Sequence, residues 1–66
     1  MNLRCEFRDY PGGKMLVSCL LASVPRIDEA VMLEGEDGPV REVKMVIYDL
    51  KLSDNAETKI LVYLGD

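Results

Sequence analysis

The side chains that most often carry chemistry are scarce in this chain: two cysteines, Cys5 and Cys19, and no histidine at all. Two thiols fourteen positions apart match no zinc spacing, and both sit inside apolar runs. They read as structural thiols in a reducing compartment, with a cross-strand pair open to them if the first two strands are neighbours. A carboxylate-only site for a hard cation would need Glu34-Gly-Glu-Asp-Gly38. That run lacks the ligand spacing of an EF-hand loop, so no metal and no cofactor is expected.

Nucleophile and base cannot be paired either. Arg26-Ile-Asp-Glu29 sets a cation beside two anions, with no nucleophile and no histidine base alongside, and reads as a solvated bend. Pro11-Gly-Gly-Lys14 could offer backbone amides and an ammonium to a phosphate. It lacks the spacing of a P-loop and the Ser or Thr that follows it on a helix, and reads as a hairpin turn. The expectation is a protein that is not an enzyme. Binding residues are then sought among the cations Arg4, Arg8, Lys14 and Arg26 and the tyrosines Tyr10, Tyr48 and Tyr63. Tyrosine is rigid, large and amphipathic, which suits it to interfaces. Arg4, Arg8 and Lys14 could work with a tyrosine only if the first strand lies next to a tyrosine-bearing strand.

The elements that must position these groups are extended. Leu3, Cys5 and Phe7 alternate with Asn2, Arg4, Glu6 and Arg8, the period of a strand with one wet face. Asp9 to Lys14 carries strong turn chemistry. Met15 to Val24 is apolar on both faces and fits a buried strand or a short helix; its Val and Cys content and the Pro25 stop favour strand. A bend from Pro25 to Asp28 leads to a short strand at Ala30 to Leu33, and Glu34 to Pro39 is a turn. Val40 to Leu52 is the longest extended candidate, with Val43, Met45 and Ile47 on one face and Lys44, Val46, Tyr48, Leu50 and Leu52 on the other. Its length predicts a bulge or bend near Met45 to Tyr48. Ser53 to Glu57 turns the chain into a last strand, Thr58 to Leu64.

Residues 1–66 therefore read as a single all-β domain, a small five-stranded antiparallel barrel of SH3-like or OB-like form, or a coiled sheet. A chain of 66 residues buries only about 60% of its unfolded surface, so its core is marginal and favours a staple. With disulfide and metal set aside, self-association is the staple expected. The strands support it, because several carry apolar groups on both faces: Leu16 and Leu20 beside Val17 and Leu21, Val46 beside Met45, Leu61 beside Ile60. A lone domain has nothing to cover the second face, and an exposed apolar patch marks an interaction surface. Leu16, Leu20, Val46 and Leu61 are the interface candidates.

The charge balance, eight Lys and Arg against twelve Asp and Glu, disfavours nucleic acid as a partner, since that needs a basic face. No apolar stretch is long enough for a membrane span. The opening Met-Asn-Leu-Arg-Cys-Glu has no apolar run of the kind export needs, which predicts a cytoplasmic protein.

The segment Val24-Pro-Arg-Ile-Asp-Glu-Ala-Val31, a turn, and then Val40-Arg-Glu-Val-Lys-Met-Val-Ile-Tyr-Asp-Leu50 resembles small uncharacterised bacterial and phage β-rich proteins carrying V-P-R-x-G-E-x-V. The resemblance covers about two-thirds of the chain. Asp28 stands where that pattern has glycine. No catalytic residue comes with it; what the resemblance implies is a short β-rich fold and a phage setting. Phage proteins of this size often block a host defence protein or sequester a signalling nucleotide. The leading expectation is thus a homo-oligomeric interaction module that binds and blocks a host protein. The alternatives are a binder of a small anionic ligand such as a nucleotide and an OB-like nucleic-acid module.

Overall fold

A computed structural model describes residues 3–33, 40–50 and 58–65. Among them lie five strands and no helix: β1 (Leu3–Asp9), β2 (Met15–Leu21), β3 (Ala30–Val31), β4 (Arg41–Asp49) and β5 (Lys59–Gly65). They form one sheet in the order β2-β1-β5-β4-β3, curled into a half-barrel. The all-β reading stands, and Met15–Leu21 is strand rather than helix. The sheet is mixed, not purely antiparallel, because β1 and β5 run parallel, Cys5 opposite Ile60 and Phe7 opposite Val62. The turns Glu34–Pro39 and Ser53–Glu57 lie outside the described residues.

The apolar pattern explains why β5 takes the middle. Ile60, Val62 and Leu64 face inward and are buried, with Leu61 and Tyr63 on the other face only partly exposed. A strand apolar on both faces suits a central position with a neighbour on each flank, although β2, also apolar on both faces, lies at the edge. The core comprises Cys5, Phe7, Val43, Ile60, Val62 and Leu64, with Leu16, Cys19, Val24, Val31 and Val46 among the residues packed around it.

Two bulges re-aim side chains. Across β1 and β2 the register passes from Phe7–Val17 to Arg8–Met15, leaving Leu16 as the extra residue, which packs against the core. Across β4 and β5 it passes from Val43–Leu64 to Met45–Tyr63. The extra residue there is Lys44, one place before the span in which a bulge was expected. Its insertion corrects the face assignment of the long strand. Val43 joins Val46 and Tyr48 on the inner side, while Met45 and Ile47 point outward, because an inserted residue breaks the two-residue alternation.

The Val24–Val31 segment has a conformational logic of its own. Glu29 N–H donates to the Arg26 carbonyl (3.1 Å), closing a turn in which Asp28 takes a φ of +73°. The Glu29 carboxylate also accepts from the Arg26 N–H. The turn is fixed to the sheet at one residue: Asp28 N–H donates to the Val43 carbonyl and Val43 N–H to the Glu29 carbonyl, both at 2.9 Å. Asp28 thus occupies a left-handed position, and the following Glu caps the turn. Asp28→Gly is expected to raise stability by about 0.5–1 kcal/mol, because a Cβ is disfavoured at that φ. Asp28→Ala is expected to lower it, because Ala keeps the Cβ and loses the short polar side chain that makes the left-handed region tolerable for Asp. Urea midpoints at constant m-value measure both; equal midpoints for the two variants would remove the strain argument.

Candidate functional site

The tip of the 24–27 segment stands over the inner face of β4. Between them lies an open groove of about 370 Å³ lined by Val24, Pro25, Arg26, Ile27, Val46 and Tyr48. On the far side of Val24 and Pro25 is a second depression of about 440 Å³, bordered by Ser23, Glu29, Ala30 and Val31. The first groove has the more selective chemistry. Its lining joins aliphatic side chains to Arg26 and Tyr48, and Tyr48 and Ile27 are 57% and 50% exposed. A cationic and an aromatic residue lining one largely apolar groove suit a carboxylate flanked by an apolar side chain, or an aromatic anion.

The opposite, outer face collects different residues. Arg4, Glu6 and Arg8 of β1 lie in register with β2 and β5, Glu6 opposite Leu61 and Arg8 opposite Tyr63. On the same face β4 presents Met45 and Ile47, opposite Tyr63 and Leu61. Glu6 is only 7% exposed. Its carboxylate accepts from Arg8 Nη2 at 2.7 Å and pairs with Lys59 Nζ at 3.6 Å. Arg8 Nη1 donates to the Gly13 carbonyl (3.0 Å), while Arg8 Nε is buried without a hydrogen-bond partner among the described residues. The Arg8 hydrogen bond holds the Glu6 carboxyl below its ordinary range; burial opposes it, and the nearby Lys59 and Arg8 charges reinforce it. A further pair, Arg41 to Asp9 at 3.1 Å, reaches over β5 from β4 to β1. Arg4 donates weakly to Ser18 Oγ at 3.5 Å.

The candidate residues therefore separate into groups. Arg26 and Tyr48 come together in the groove, with Val46 in its floor. Arg4, Arg8 and Tyr63 share the outer face, and the condition of a tyrosine strand beside the first strand is met by β5. Arg8 is already engaged by Glu6 and Gly13. Tyr10 and Lys14 belong to the β1–β2 turn, where Tyr10 N–H donates to the Leu64 carbonyl (2.9 Å) and Asp9 N–H to that of Lys14 (2.8 Å). Register puts this turn at the Leu64 end of β5, whereas Tyr48 lies opposite Ile60 at the other end. Of the four interface candidates, Leu16 and Val46 pack against the core. Leu20, 53% exposed, and Leu61 lie on the outer face, so the four form no single patch.

Sequence reasoning passed over Ile27, Lys59 and the burial of Glu6. Ile27 could have been found as the one large apolar residue in a polar bend. Glu6 carried a signal too, since Arg4 and Arg8 flank it two residues away on the same strand face. The pairing with Lys59 carried none, because it depends on the parallel register of β1 and β5.

Among the described residues, no cluster of three or more His, Cys, Asp or Glu side chains could hold a metal ion. No helix among them is long and apolar enough to cross a membrane. The Glu34–Gly38 run lies outside the described residues. Scans of known families, curated proteins and solved structures found no match to the chain.

Proposed function

We propose that this chain is a non-catalytic, cytoplasmic interaction module that associates with a second copy of itself and occludes the surface of a partner protein. The observation that carries this reading is the exposure of large apolar side chains on both sides of one thin sheet. Met45 and Ile47 on the outer face are 37% and 38% exposed, and Tyr48, Ile27 and Leu50 are more so. A five-stranded half-barrel has one filled face, and water-exposed apolar groups on the other favour association. The outer face suits a second copy, because Met45 and Ile47 lie there opposite Tyr63 and Leu61, beside a Glu6–Arg8–Lys59 row in which one carboxylate is shared by two cations. The Arg26–Tyr48 groove is then left for the partner protein. Blocking a host protein is the role that the resemblance to phage proteins gives to such a module.

Light scattering across a dilution series tests the first half of the reading. The expected result is a dimer or larger assembly at micromolar concentration, dissociating on dilution and weakened by Ile47→Lys. A monomer at every concentration would remove self-association from the function.

A further inference from the structure

We propose that Cys5 and Cys19 form a redox modification site, converted to an intramolecular disulfide by small-molecule disulfides of the glutathione type. The two are direct antiparallel partners in the β1–β2 ladder. Residues opposed in this way have Cα atoms about 4.5–5.5 Å apart and side chains on one face, within the roughly 4.4–6.8 Å span that a disulfide bridges. Both thiols are free in this structure, the reduced form of the site.

Their environments differ in a way that orders the chemistry. Cys5 is fully buried in the core, whereas Cys19 is partly exposed on β2, which pairs with β1 alone among the described strands. A small disulfide in solution therefore meets Cys19 first. The Cys19 thiolate attacks one sulfur of the reagent, forming a mixed disulfide and releasing one small thiol. Cys5 then attacks the Cys19 sulfur, and its proton passes to the departing small thiolate. The protein disulfide forms, the mixed disulfide breaks and the second small thiol leaves. Two protein thiols are oxidised and one small disulfide is reduced to two thiols.

Burial, and after it the charge of Cys19, push the Cys5 thiol above its ordinary pKa. That protects Cys5 from direct attack on solvent reagents. The second of these influences disappears once Cys19 is in the mixed disulfide, and the reacting sulfurs are then neighbours, which favours closure. The product ties the outermost strand β2 to β1.

The test is incubation of the reduced full chain with oxidised glutathione, followed by intact mass and non-reducing peptide mapping. The expected product has lost two hydrogens, carries no glutathione and shows a Cys5–Cys19 cross-link that dithiothreitol reverses. Cys5→Ala is expected to stop at a glutathione adduct on Cys19, and Cys19→Ser to stay unmodified in the same period. Wild-type protein that stops at the adduct, links two chains, or keeps both thiols would overturn the proposal. The mapping of wild-type protein decides the matter even if a variant fails to fold.

Discussion

Leu64→Ala is expected to cost about 3–5 kcal/mol and to leave much of the protein unfolded at 37 °C. Among the described residues Leu64 is the largest fully buried side chain; it lies near the end of the central strand, opposite Asp9 on β1 and Val43 on β4. Truncating it opens a cavity against Val43, whose backbone holds the Asp28–Glu29 turn. A domain of this length has a total stability of roughly 3–10 kcal/mol, so one such loss takes a large share. Thermal melts followed by circular dichroism should show a midpoint lower by about 15 °C or more. Met32→Ala, at a side chain 77% exposed, should change stability by no more than about 0.5 kcal/mol. Comparable shifts for the two variants would mean that the core does not lie where Leu64 places it.

Glu6→Gln is expected to destabilise by about 1–3 kcal/mol, because the charge-assisted contact to Arg8 weakens and two cations lose their shared anion. The carboxyl pKa is lower in the folded chain than its ordinary 4.5. Its contribution is therefore complete above about pH 4.5 and is lost as the pH falls through the lower folded value. Wild-type stability should decline with acid across that window, and the Gln variant should show a shallower decline from a lower starting point. Urea denaturation from pH 7 to pH 3 measures this directly. Parallel pH profiles for the two proteins would show that the acid sensitivity comes from other carboxylates.

Much of the fold could be read from alternation alone. Leu3, Cys5 and Phe7 against Arg4, Glu6 and Arg8 predicts β1 and its buried face, and the Pro-Gly-Gly turn predicts a β1–β2 hairpin, since both signals are local. The β4 faces were misread because alternation assumes an unbroken pleat, and the inserted Lys44 is invisible to a count of twos. The parallel β1–β5 pairing was hidden for a related reason: register between distant segments depends on the whole packed sheet. The candidate site was half legible. Arg26 and Tyr48 stood out by residue type, but their meeting depends on the turn that hangs from Val43. Arg8 stood out as a cation available to a ligand, and folding instead commits it to Glu6 and Gly13.

The central ladder also sets the order in which this protein can be assembled. Its β1–β2 hairpin joins neighbours in the chain and can form within microseconds, yet Cys5 finds its parallel partner only at Ile60. During synthesis β1 must therefore wait, one flank unsatisfied, until β5 has left the ribosome. Contacts so distant in sequence slow the search for the native sheet. Through that interval the nascent chain exposes the side chains that will become its core, which makes β1 and β2 the segment most in need of protection by chaperones.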